Sequence, residues 1–68
     1  MDNDVRSRRE GAGLTQAQLA DLVGVSRQTI ISIERGRYDP GLRLAFDLAA
    51  ALEAELTTLF FPVERPTS

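Results

Sequence analysis

Apolar residues recur along this chain at steps of three and four, the spacing that lines side chains up on one face of an α-helix. Leu19, Leu22 and Val23 form one such stripe, Ile30 and Ile33 a second, and Leu42, Ala45, Leu48, Ala49 and Leu52 a third. No segment alternates with the period of two that a half-buried strand needs, and the tail from Phe61 to Glu64 comes nearest to it. Start and stop signals then divide the stripes into short helices. A first helix is expected over Asp4 to Ala12, closed by Gly13, because glycine takes the left-handed conformation past a helix end at little cost. Thr15 opens the second, and Gln18 three residues later completes a capping box, in which each side chain serves an orphan backbone amide. Gly24 interrupts; Ser26 caps a third helix, and Gly36 stops it. Asp39 and Pro40 supply a cap and a first-turn proline for a fourth helix, and a fifth is expected around Leu56 to Phe60, ended by Pro62.

The window from Gln16 to Arg35, QAQLADLVGVSRQTIISIER, carries more than helical periodicity. Two short helices joined by a tight turn must approach closely, so the first needs a small residue at the crossing, and Ala20 is there. The turn needs a residue that tolerates positive φ, and Gly24 provides it. Leu19, Val23, Val25, Ile30 and Ile33 fill the inward positions. Together with caps on both helices this is the helix-turn-helix pattern, with the motif at residues 16–35.

On a wheel of about 100° per residue, Ile30 and Ile33 point to the core and Gln28, Ser32 and Arg35 fall opposite them, flanked by Arg27, Thr29 and Ile31. That outward stripe is polar and neutral to basic. An ordinary solvated helix face is the competing reading, but it would carry the usual Lys/Glu pairs, and this stripe has no acid. Gln28 suits bidentate pairing with adenine, Arg27 or Arg35 with guanine, and Thr29 or Ile31 contact with a thymine methyl.

Composition narrows the function. The chain has 68 residues, one domain by size, with a core too small for high stability unless the chain oligomerises or packs unusually well. It contains no cysteine and no histidine, which removes disulfides, thiolate nucleophiles, the usual zinc sites and imidazole bases. Neither a cofactor nor a metal is expected. The acidic pairs Asp2/Asp4 and Glu53/Glu55 have no histidine or phosphate-cradling loop beside them and read as solvated charge, so no enzyme and no catalytic residue is expected. No apolar run approaches the roughly 18 residues needed to span a bilayer, and the Met-Asp-Asn-Asp start is not a signal peptide, so a cytoplasmic protein without membrane contact is expected. The formal net charge is −2, against the basic surplus usual in nucleic-acid binders. The distribution answers this in part. Arg27, Arg35, Arg37 and Arg43 outnumber Glu34 and Asp39 in the middle of the chain, whereas acids dominate from Asp47 onward.

At this point the stretch VSRQTIISIERGRYDPGLRLAFDLAAAL, preceded by LTQAQLADL, resembles the Cro/CI-type (xenobiotic-response-element) helix-turn-helix family, in particular its compact stand-alone repressors of the cytolysin-operon type. The resemblance runs from Val5 to Phe60. It implies an all-α, five-helix, lambda-repressor-like DNA-binding domain and a transcriptional regulator, a repressor in the first instance. Its third helix would enter the major groove of a palindromic operator, usually as a symmetric homodimer. By the same resemblance, Arg27, Gln28 and Ser32 match base-reading positions with Thr29 beside them, and Gln16, Arg35, Arg37 and Arg43 match places near backbone phosphate. Arg9 and Glu34 match a pair that bridges the first and third helices. The family usually has glycine or asparagine after helix four and a serine-type cap before helix five. Glu53-Ala54-Glu55 stands here instead, so a more continuous joint is expected.

Leu56, Leu59, Phe60 and Phe61 form a dense apolar group near the end of a very small chain. Part of it completes the core, and the remainder is a candidate dimerisation surface, two-fold pairing being the commonest assembly. Residues 62–68 are expected either to add a short strand, to help form the dimer, or to be disordered. A second reading uses the same fold for protein contacts, as an antitoxin-like module that holds a partner protein through its acidic C-terminal third.

Overall fold

The computed structural model describes residues 2–61, and the expectations for residues 62–68 lie outside the described residues. In chain order the elements are β1 (Asp2–Asn3), α1 (Val5–Gly11), α2 (Gln16–Val23), α3 (Arg27–Glu34), α4 (Leu42–Ala51), α5 (Leu56–Leu59) and β2 (Phe60–Phe61). Five helices surround one core, and every helix gives it at least one wholly buried side chain: Val5, Leu19, Ile30, Ile33, Leu48 and Leu59. Each such side chain contributes about 1.5–3 kcal/mol of transfer free energy, the main favourable term available to so small a chain.

The capping signals act as their chemistry dictates. Thr15 Oγ1 accepts from the Gln18 N–H at 3.0 Å while Gln18 Oε1 accepts from the Thr15 N–H at 2.8 Å, a complete capping box. Ser26 Oγ accepts from the Thr29 N–H at 3.2 Å and starts α3. Gly13, Gly24 and Gly36 take φ of 74°, 73° and 71° past the first three helices. At Gly24 an added Cβ would meet nothing within 4 Å, so the demand there is conformational and not one of space.

Three details differ from the sequence reading. Leu22 and Leu42 are 61% and 69% exposed, although their spacing put them on the apolar stripes. On α2, Leu19, Ala20 and Val23 define the inward direction, and Leu22 lies roughly 100° away from it on the wheel. Leu42, at the very start of α4, is displaced from the Ala45–Leu48–Leu52 line in the same way. Second, α4 is not capped by Asp39 with Pro40 in its first turn. Its N-cap is Gly41, still extended at φ −63°, ψ 165°, and no side chain caps it. Starting the helix at Pro40 would have placed Gly41 inside it, where glycine costs about 1 kcal/mol, whereas an N-cap accepts glycine readily.

Third, α4 and α5 are not continuous. Glu53 takes φ 52° and occupies the left-handed position that a glycine would fill. Its N–H donates to Ala50 O at 3.2 Å and the Ala54 N–H donates to Ala49 O at 2.9 Å, the two bonds of a Schellman turn. The break lets α5 fold back and bury Leu59; a straight helix would carry that side chain away from the core. Because the left-handed conformation costs a non-glycine residue about 1–2 kcal/mol, Glu53→Gly is expected to stabilise the fold by roughly 0.5–1 kcal/mol. Thermal unfolding should show this as a rise of about 4 °C, and a fall on that substitution would contradict the assignment of strain to this turn.

The chain also closes on itself. β1 pairs antiparallel with β2, Asp2 opposite Phe61 and Asn3 opposite Phe60, and the Asp4 N–H donates to Leu59 O at 2.9 Å. The strand therefore begins at Phe60, earlier than expected, and its partner is an N-terminal strand that no alternation in the sequence announces.

Candidate nucleic-acid interface

α2 and α3 cross with Ala20 buried between them, and the Val25 N–H donates to Ala20 O at 3.0 Å, which draws the turn tight. Burying Ile30 and Ile33 fixes the rotation of α3 about its axis. Arg27 and Gln28 then stand exposed, while Thr29, Ile31 and Ser32 are half-buried beside them. Ser26 and Thr29 hydroxyls lie 3.0 Å apart, so Thr29 is held against the helix cap. Arg35 follows at the C-cap of α3 and Arg37 in the loop beyond, both exposed. Arg43 lies instead on the outer side of α4.

The orientation of α3 is anchored from below. Arg9 Nε donates to Glu34 Oε2 at 2.7 Å and Arg9 Nη2 to Glu34 Oε1 at 3.3 Å, while Nη1 donates to Leu14 O at 2.9 Å. The two side chains are only 10% and 5% exposed, so this bidentate pair joins α1 to α3 in a poorly solvated place. The hydrogen bond that Arg9 donates to Glu34, with the charge of that carboxylate, raises the Arg9 pKa above the ordinary arginine value, against the opposing effect of burial. Gln16, at the first position of α2, extends the network. Its Nε2 donates to Glu34 Oε1 at 3.2 Å and its Oε1 accepts from Arg27 Nη2 at 3.4 Å. Sequence reasoning did not foresee that Gln16 is hydrogen-bonded inside the protein, nor that Asn3 Nδ2 donates to Ile33 O at 2.8 Å near the end of α3. Neither contact leaves a local sequence signal, since the partners are 18 and 30 residues apart.

Beside α3 a groove of about 640 Å³ runs between α1 and the start of α2, with Arg6, Arg27 and Arg35 among its lining residues. Arg6 and Arg8 are bound to acids one turn away, Glu10 at 3.4 Å and Asp4 at 3.5 Å. Among the described residues no acid pairs with Arg27, Arg35 or Arg37. The face made by α3 and its flanks is thus positive despite the overall acidity. It carries exposed amide and guanidinium groups on a helix narrow enough for a major groove.

Of the four residues proposed for dimerisation, Leu59 is wholly inside the core and so is not available to a partner. Its place is dictated by the Glu53 turn. Leu56 and Phe60 are half-buried against the same core, and Phe61 is 40% exposed.

A short helix crossing a second through a glycine turn, with the second helix's polar edge turned outward, is a helix-turn-helix unit. Comparison with known proteins agrees: the family described as helix-turn-helix matches residues 5–59. An HTH-type transcriptional regulator of Methanothermobacter thermautotrophicus is 55% identical over 51 residues, covering 75% of this chain and 74% of its own length. Another, from Methanocaldococcus jannaschii, is 47% identical over 60 residues, covering 88% and 91%. Among solved structures, the restriction-modification controller protein C.AhdI from Aeromonas hydrophila superposes with a TM-score of 0.76 at 38% identity, covering 82% of this chain and 85% of that one. The chain belongs to the helix-turn-helix family of Cro/CI-type transcriptional regulators, and is not an enzyme. No helix among the described residues is long and apolar enough to cross a membrane.

Proposed function

We propose that this protein is a cytoplasmic repressor that binds a palindromic operator as a symmetric homodimer and reads it with α3. The observation that carries this reading is the outward edge of α3, where Arg27 and Gln28 stand exposed on a helix whose rotation the buried Ile30, Ile33 and Glu34 fix. Arg27 and Gln28 read base edges, with Thr29 and Ser32 beside them contacting the groove wall. Arg35 and Arg37, free of acidic partners among the described residues, meet phosphates and set the docking register, and Gln16 joins them at the start of α2. Repression follows physically from occupancy, because a dimer lying across a promoter excludes polymerase without any further domain.

Selection of bound sequences from a random DNA pool tests this. The expected product is an inverted repeat whose half-sites lie about one helical turn, roughly 34 Å, apart, bound with an affinity that falls steeply with salt. A pool that shows no enrichment would overturn the reading.

A further inference from the structure

We infer that the outer face of α4 is the two-fold contact between two copies of this chain. Leu42 and Phe46 are 69% and 53% exposed, one turn apart on the same side of α4, and with exposed Ala50 they make an apolar line left open by the described residues. Beside this line runs a second one, Arg43 and Asp47, also one turn apart and exposed. Among the described residues neither has an ion-pair partner.

The pattern is complementary to itself. A two-fold axis at right angles to α4 lays the helix antiparallel on its copy and keeps each flank on its own side. The apolar line then meets the apolar line, Leu42 over Phe46 of the second copy. The charged line meets the charged line, so Arg43 faces Asp47 of the second copy and Asp47 faces its Arg43. A parallel two-fold would carry the charged lines to opposite sides of the contact and leave Arg43 and Asp47 unpaired. The charge order along α4 thus selects both the occupant, another α4, and its direction. This contact leaves the reading edge of α3 uncovered, and it assigns Arg43 to the dimer and not to phosphate. The half-exposed Phe61 belongs at most to its rim.

The inference deepens the homodimer of the proposed function and rests on that part of it, so its test uses no DNA. Sedimentation velocity of the full chain is expected to show a dimer, and Phe46→Glu, at a surface position that leaves the helical circular dichroism unchanged, is expected to give monomer. Arg43→Glu and Asp47→Arg, each of which spoils two symmetric pairs, should each raise the dimer dissociation constant about five- to tenfold. The double reversal restores the pattern and should return the constant to within about twofold of wild type. Three results would overturn the inference: a wild-type chain monomeric at about 0.3 mM, a dimer that survives Phe46→Glu but not Phe61→Glu, or a double reversal no tighter than the weaker single one. A monomeric wild type that still enriches an operator half-site would remove this surface and leave the α3 reading standing. A dimer with these responses that binds no DNA would do the reverse.

Discussion

Glu34→Ala is expected to lower the midpoint of thermal unfolding by roughly 12–24 °C, corresponding to a loss of about 3 kcal/mol in a chain of this size. Exposed ion pairs contribute little, but the Arg9–Glu34 pair is only 10% and 5% exposed and is bidentate. Removing the carboxylate leaves the Arg9 guanidinium with one protein partner, Leu14 O, and strands the Gln16 amide that Glu34 also held. The cost is that of an uncompensated charge in a poorly solvated place, not the net worth of the bridge. Replacing both partners together, as Arg9→Met with Glu34→Leu, should therefore recover much of the loss. Arg9→Ala acts in the same direction, lowering stability more than it alters DNA sequence preference. Differential scanning calorimetry checks the series. A shift under about 3 °C for Glu34→Ala would show the pair to be an ornament of the surface.

The second large effect lies in α2. Leu19→Ala should cost about 2–5 kcal/mol, because Leu19 is wholly buried and the cavity left beneath the crossing of α2 and α3 cannot collapse fully. Leu22→Ala, three residues on in the same helix, removes an equal number of atoms from a side chain 61% exposed and should cost no more than about 0.5 kcal/mol. Urea unfolding of the two variants separates the predictions by several-fold. Similar losses at both positions would mean that α2 is turned about its axis so that Leu22 shares the core with Leu19.

These two leucines show what the sequence could and could not disclose. Periodicity located the helices, because amphipathic spacing and caps are local properties; Thr15, Gln18 and Ser26 act through neighbours three residues away. Which of two apolar residues at helical spacing faces inward depends on the neighbouring helices, and the stripe alone could not separate Leu19 from Leu22. The same limit explains α4. Glu53 has no intrinsic preference for a left-handed turn, and only the need to bury Leu59 puts it there. The start at Gly41 instead of Pro40 reflects a competition between two acceptable caps. Contacts between distant segments were the least legible: the β1–β2 pair, the Asn3 bond to α3 and the tie from Gln16 to Glu34 leave no pattern in a single sequence. At the site, the exposed edge of α3 was legible because Ile30 and Ile33 fix its opposite side. Arg43 was not legible in the same way, since resemblance placed it near phosphate whereas its setting on α4 beside Asp47 argues for a different partner.

In the proposed complex Gln28, on the exposed edge of α3, reads a base. The most direct test is the affinity of wild type, Gln28→Ala and Arg37→Ala for the selected operator and for each of its single-base variants, at two or more salt concentrations. Gln28→Ala should lose about 1–3 kcal/mol of discrimination at one base pair per half-site and keep the others. Arg37→Ala should weaken all sequences alike and reduce the salt slope by about one per protomer. If Gln28→Ala kept the full wild-type preference at every position, α3 would not read the operator through this residue.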